Sequence, residues 1–366
     1  MAEAPLPPGA TIGILGGGQL GRMLAVAASR LGLKTHIYND APDAPAFDVA
    51  AKGAVGAFED LEAVTQFARD VDVVTCEFEN VPAATLGAAS VKSSVFPSVA
   101  SFEVAQDRLA EKDFISKLTI DDAQIAVAPY AAVTKLADLK EALLRIPPPA
   151  LLKTRRFGYD GKGQAAIDTL CEAESAWERI GEAPAILEGK IAFTREVSVV
   201  AVRGQDGDIR FYDTVENVHR QGILHTSAVP AQLSETQDRK AKAIAGTIAE
   251  ALGHVGVLTV EMFETGAPTP SLAVNEIAPR VHNSGHWTMD ACLVSQFENH
   301  IRAICGWPLG DVTRHSDAVM TNLLGHDVEN WRQLAAGPST ALHLYGKAQA
   351  REGRKMGHVT KISAKS

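Results

Sequence analysis

From Thr11 to Cys76 the chain alternates short apolar runs with amphipathic stretches, an order that leaves few folds open. Thr11–Leu15 reads as a strand, followed by Gly16-Gly17-Gly18 and a helix on which Leu20, Met23, Leu24, Ala27 and Leu31 share one face. Gly32 ends that helix, Lys34–Tyr38 reads as the next strand, Leu61–Ala68 as helical and Val71–Cys76 as a third strand. This βαβαβ order implies a parallel, doubly wound sheet with right-handed crossovers.

The rest of the chain has a different texture. A helical region around Phe102 to Leu118 leads out of the first unit. From about Ala123 a small α+β subdomain is expected, with a helix at Lys135–Leu144, a break at Pro147-Pro148-Pro149, a strand at Ala150–Lys153 and an end near Pro184. A larger antiparallel sheet is expected from Ile186 to Ile277, interrupted by a long helix around Glu235 to Leu252. Pro308–Ser316 reads as a linker to a small C-terminal β unit. A length of 366 residues suits two or three such domains.

Composition narrows the class. A hydrophobic fraction of 46% fits a soluble globular protein, and no apolar run approaches the ~20 residues that span a bilayer. Met1–Ala10 reads as a short tail, since it has several prolines but neither a basic region nor a long apolar core. Cys76, Cys171, Cys292 and Cys305 lie far apart without metal-ligand spacing and read as buried free thiols in a reducing cytoplasm. A net charge of −9 argues against nucleic acid as a partner, yet Tyr345–Lys361 is basic and can meet an anionic small substrate.

The chemistry concentrates in four places. Val255–Phe263 and Leu272–Ile277 read as strands joined by the turn-rich Gly266–Ser271, and pairing them brings Glu261, Glu276 and Asn275 together. Packed carboxylates repel unless a cation lies between them, and hard oxygen ligands of this kind suit Mg²⁺ shared with phosphates. A single strand-end Glu is more often simply solvated. The run Ala278–His286 that follows, with Arg280, His282, Asn283 and His286, makes a poor core and a good polyanion site.

Gly16–Gly21 has the context for anion binding at a helix N-terminus, and Asp40 follows the second strand where a ribose-binding acid of a dinucleotide fold would sit. Dinucleotide, another phosphate ligand and a tight turn all remain open for this cluster. Lys153–Gln164 follows a strand and combines glycines with Lys153, Arg155, Arg156 and Lys162, a composition able to close over a triphosphate. As a plain turn, Tyr159–Lys162 would be unremarkable. Leu342–Lys347 and Gly353–His358 place basic side chains between glycines, either as a solvated hairpin or in contact with a ligand.

Together these residues resemble the ATP-grasp superfamily, and more narrowly the 5-(carboxyamino)imidazole ribonucleotide synthetase family. The similarity runs from Thr11 to about Lys361 through Gly16–Gly21, Gln106–Leu109, Gly158–Gln164, His282–His286 and Gly353–His358. It implies an α/β architecture with an N-terminal doubly wound domain (10–104), an ATP-grasp domain (105–305, its lid at about 123–184) and a C-terminal domain (306–366). It also implies that Arg108, Lys153 and the loop Gly158, Tyr159, Asp160, Gly161, Lys162, Gly163, Gln164 contact ATP phosphates. Glu188, Gly189, Lys190 and Ile191 would hold adenine through the backbone, Glu196 the ribose, and His219 would lie near the nucleotide. Glu261 and Glu276 would hold Mg²⁺, or Mn²⁺ in its place, with Asn275 adjacent. Gln19, Glu79, Arg280, His282, Asn283, Ser284, His286, Lys347, Arg354 and Lys355 would line the acceptor site, with Tyr159, Lys162, Arg280, Lys347 and Arg354 acting in catalysis. Val281 and Lys190 depart from the family, which usually has Pro and an aromatic at these positions.

The implied reaction joins bicarbonate to 5-aminoimidazole ribonucleotide at the expense of ATP, through carboxyphosphate, in purine biosynthesis. The family implies a cytoplasmic homodimer acting on small molecules, with neither nucleic acid nor membrane as a partner. On this reading the first glycine cluster takes the acceptor's phosphate. A nicotinamide dehydrogenase built on that cluster is the competing class, and a nucleotide-binding protein without turnover is a third.

Overall fold

The structure, a computed structural model, describes residues 4–158, 161–266 and 271–366. The N-terminal sheet is parallel throughout, as expected. Its order is Lys52–Val55, Lys34–Asn39, Thr11–Leu15, Val73–Cys76, Ser94–Val95. The two edge strands are short and partly polar, so no periodicity announced them. The helix Gln19–Arg30 buries Leu20, Met23, Leu24 and Ala27, the face read from the sequence.

Two helices, Val99–Gln106 and Arg108–Ile115, stand where one helical region was expected. The break is at Asp107, whose backbone is extended and whose carboxylate accepts from the Leu109 and Ala110 N–H groups.

The small antiparallel sheet has the order Gln164–Ile167, Ala150–Thr154, Ala185–Gly189, Tyr130–Val133. Leu139, Leu143, Ala176 and Trp177, from the helices Leu136–Arg145 and Ala173–Arg179, pack in its core. Ala185–Gly189 thus belongs to this sheet and not to the larger one, where its apolar pattern had placed it. An apolar run specifies a strand but not its partners.

Among the described residues, the large sheet has nine strands. Its main order is Ser271–Ala278, Gly256–Thr265, Phe193–Arg203, Val215–Arg220, Ile223–Val229, Ser316–Leu324, Lys355–Ala364, Thr340–Leu344. Ile209–Phe211 pairs beside Phe193–Arg203. The C-terminal strands therefore extend the central sheet, because Ala318–Thr321 pairs with Thr226–Val229. Side chains alternate between two cores. Val197, Val199 and Ala201 meet the long helix Glu235–Ala251, while Val200 and Val202 pack in the core that holds Phe297 and Ile301 of the helix Gln296–Ile304. Among the described residues, no helix is long and apolar enough to cross a membrane.

Candidate active site

A cavity of about 930 Å³ opens where the three sheets meet, and most of the sequence-predicted residues line it. The hairpin forms as expected, with Glu261 directly opposite Glu276. The register then slips, so that Met262 faces Val274 and Asn275 is the extra residue of a bulge. Consecutive strand residues normally point to opposite faces; the bulge lets both Asn275 and Glu276 reach the cavity. Arg108 Nη1 donates to Glu276 Oε2 at 2.9 Å, and His282 Nε2 lies 3.0 Å from Glu261 Oε1. Burial alone would raise the Glu276 pKa, but Arg108 and Lys153 outweigh it and bring it down to about 2. Two acidic side chains and an amide oxygen on one wall, each carboxylate with a second oxygen to offer, fit a hard divalent cation.

Arg108, Lys153, Gly158, Gly161, Lys162 and Gln164 line the cavity, as do Glu196 and His219. Gly163 sits just behind: its φ is +70°, and a Cβ there would fall 2.6 Å from Thr154 Oγ1. Tyr159 and Asp160 lie outside the described residues. His219 Nδ1 is 2.5 Å from Glu196 Oε2; burial favours the neutral ring, and the carboxylate more than offsets it, raising the His219 pKa.

The stretch Glu188–Ile191 does not line the cavity. The Gly189 and Lys190 N–H groups already donate to Pro129 and Pro149 carbonyls, at 2.8 and 3.0 Å, so neither is available to a base edge. The Glu188 side chain instead accepts from Lys153 Nζ at 2.7 Å, with Lys112 Nζ 3.7 Å away. Burial would raise its pKa, and the two lysines together hold it below the ordinary carboxylate value.

Of the residues expected at the acceptor, Gln19, Glu79, Arg280, His282, Asn283, Lys347, Arg354 and Lys355 all reach the cavity. Arg280 Nε donates to Glu79, whose pKa falls below the ordinary value because this ion pair outweighs burial. Ser284 and His286 do not reach it. They are 0% and 1% exposed, Ser284 within a hydrogen-bonded row and His286 packed against Phe297 and His358. Val281, one of the two expected departures from the family, is fully buried in the core.

The first glycine cluster departs from expectation. Gly18 and Gly21 donate their N–H groups to the two oxygens of Glu77, at 2.5 and 2.7 Å, and Gly17 donates to Asn39 Oδ1 at 2.8 Å. An internal carboxylate thus fills the place at this helix N-terminus where a phosphate was expected, while Asp40 is exposed. Sequence reasoning also passed over Gln106, which donates to the Glu79 and Val81 carbonyls, at 2.7 and 2.6 Å, and accepts from Arg156 at 2.7 Å. Its place in the Gln106–Leu109 motif was the available signal.

The family models that match describe a ribonucleotide synthetase preATP-grasp domain at residues 9–106, an ATP-grasp domain at 118–297 and a phosphoribosylaminoimidazole carboxylase C-terminal domain at 318–366. The N5-carboxyaminoimidazole ribonucleotide synthase of Brucella melitensis is 46% identical over 368 residues, covering 100% of both chains. That of Pseudomonas aeruginosa is 43% identical, covering 95% of this chain and 93% of its own. A solved ADP complex of an N5-carboxyaminoimidazole ribonucleotide synthetase superposes with a TM-score of 0.93 at 40% identity, covering 98% of this chain and 94% of that one. The Aspergillus clavatus enzyme, solved with ADP and 5-aminoimidazole ribonucleotide, gives 0.91 at 30% identity, covering 98% and 95%. With matches along its whole length and one continuous site between its sheets, the chain belongs to the N5-carboxyaminoimidazole ribonucleotide synthase family of ATP-grasp enzymes.

Proposed function

We propose that this chain carboxylates the amine of 5-aminoimidazole ribonucleotide with bicarbonate, cleaving ATP to ADP and phosphate. The observation that carries the reading is the single cavity that joins the Glu261/Glu276 wall, the Lys153–Lys162 loop and the Glu79, Arg280 and Lys347–Lys355 side. Bicarbonate is a feeble electrophile. One of its oxygens attacks the γ-phosphorus of ATP and the bond to ADP breaks, giving carboxyphosphate. The amine then takes the carboxyl carbon, phosphate leaves with the C–O electron pair, and the amine proton goes to phosphate or solvent.

Such a transfer needs positioning and charge neutralisation more than covalent help. Arg108, Lys153 and Lys162 face the phosphates, and Glu196 and His219 the sugar. Mg²⁺ or Mn²⁺ held by Glu261 and Glu276 would neutralise phosphate charge. Arg280, fixed by Glu79, orients the small anion, and Lys347, Arg354 and Lys355 take the phosphate of the acceptor. A cytoplasmic homodimer follows from the family resemblance. The test is one reaction mixture containing ATP, ¹³C-bicarbonate and 5-aminoimidazole ribonucleotide. ADP and labelled carbamate should appear in equal amounts, whereas ADP release indifferent to the acceptor, or absent, removes the reading.

A further inference from the structure

Beneath the cavity runs a row of buried polar side chains, of which Ser198, Asn217 and Ser227 belong to none of the sequence motifs. Ser227 Oγ donates to Asn217 Oδ1 at 2.8 Å, Asn217 Nδ2 to Ser198 Oγ at 2.9 Å, and Ser198 Oγ to Ser284 Oγ at 2.8 Å. Ser284 Oγ lies 2.9 Å from His282 Nδ1, and His282 Nε2 lies 3.0 Å from Glu261 Oε1. Ser198, Ser227 and Ser284 are 0% exposed and Asn217 is 4% exposed. The sheet register builds the row: Ser198 lies directly opposite Glu261, and Asn217 opposite Ser227.

The direction of every bond follows from one N–H group. The Ser284 backbone N–H points at His282 Nδ1, 3.3 Å away, and an N–H can only donate. Nδ1 is therefore an acceptor, and the neutral ring carries its proton on Nε2, toward Glu261. A Ser284 hydroxyl turned away from Nδ1 would set two lone pairs against each other at 2.9 Å, so it too donates to the ring. Gln296 holds the residue in place, its Oε1 accepting from His282 N at 2.9 Å and its Nε2 donating to His282 O at 2.7 Å.

We infer that Ser198, Asn217 and Ser227 are positioning residues: they form a one-way hydrogen-bond chain that fixes the His282 tautomer and so pins one oxygen of Glu261, leaving the other to face the cavity. Partners behind a ligand carboxylate set its orientation in this way. The inference rests on the role proposed for Glu261.

The test is a long-range ¹H–¹⁵N spectrum of protein labelled at histidine, free of nucleotide and metal, with His282→Asn assigning the signals. The parent should show His282 protonated at Nε2 and bare at Nδ1. In Asn217→Asp a carboxylate accepts where the amide donated. The ring should then shift toward Nδ1–H, and carbamate formed per ADP should fall at least fivefold at an unchanged KM for ATP. A parent ring protonated at Nδ1, or an Asn217→Asp protein matching the parent in both readouts, overturns the inference. If Asn217→Asp does not fold, Ser198→Thr and Ser198→Ala decide it. The hydroxyl-bearing variant should match the parent and the other should not; equal behaviour overturns it. The spectrum is read without metal, so its failure stands apart from a failure of Glu261, which Glu261→Gln tests through Mg²⁺ dependence.

Discussion

Of the three readings of the glycine cluster, a carboxylate in the anion pocket of the first helix favours the tight turn. Glu77 is buried, which raises its pKa, and the Gly18 and Gly21 N–H groups partly counter that. A dinucleotide pyrophosphate placed there would meet Glu77 instead of free amides. We therefore expect NAD(H) to leave the melting temperature unchanged and 5-aminoimidazole ribonucleotide to raise it; micromolar NAD(H) binding would restore the dehydrogenase reading. Glu276 is the opposite case, a carboxylate aimed into the cavity. Glu276→Gln should keep the fold and lose most Mg²⁺-dependent ADP release, on the order of several kcal/mol of transition-state stabilisation. Near-normal turnover at saturating Mg²⁺ would end that assignment. Glu276 was legible because two acids flank one turn-rich stretch. Glu77 was not, because its partners are backbone amides distant in the chain, and side chain–backbone bonds leave no trace in composition.

The helix Arg108–Ile115 gathers more of the site than its length suggests. Arg108 holds Glu276, Glu111 Oε1 accepts from Ile277 N at 2.5 Å, and Lys112 Nζ donates to the Val274 carbonyl at 3.4 Å and to that of Asn275. Its cap, Asp107, is paired with Arg155 at 2.6 Å, which ties the helix to the loop that carries Gly158 and Lys162. Lys112 is 2% exposed, so Lys112→Met fits the space but leaves those two carbonyls without its ammonium. We expect a loss of about 1–3 kcal/mol in urea unfolding, together with a weaker apparent Mg²⁺ affinity. A variant equal to the parent in both would make the lysine incidental. The helical period of this segment was readable. That Asp107 starts a second helix was signalled only by its type, and what Lys112 touches depends on a strand far along the chain.

At the scale of the whole molecule, two neutral histidines sit between the N-terminal sheet and the rest. His300 Nδ1 accepts from Val257 N at 3.1 Å while its Nε2 meets Thr75 Oγ1 at 2.8 Å, and His254 lies between Ser101 and Val257. Burial lowers His254 to about 4 and His300 to about 3, against 6.5 for a free imidazole. Below about pH 6.5 the unfolded chain binds protons that the fold refuses, so stability should fall as the pH drops toward 4. Each histidine contributes roughly 2 kcal/mol of that loss between pH 6.5 and 5. Urea unfolding at several pH values checks it: the slope should flatten in His254→Gln and His300→Gln, and an equally steep slope in both would refute the account. The large sheet, for its part, ends on the strand that carries Asn275 and Glu276. An open strand edge is a template for other chains. Here the outer edge is spent on Lys112, on Glu111 and on the Ala126 carbonyl, which accepts from Val274 N at 2.8 Å. The contacts that aim Glu276 into the cavity thus also occupy the backbone groups of this edge, closing it as a template for another strand.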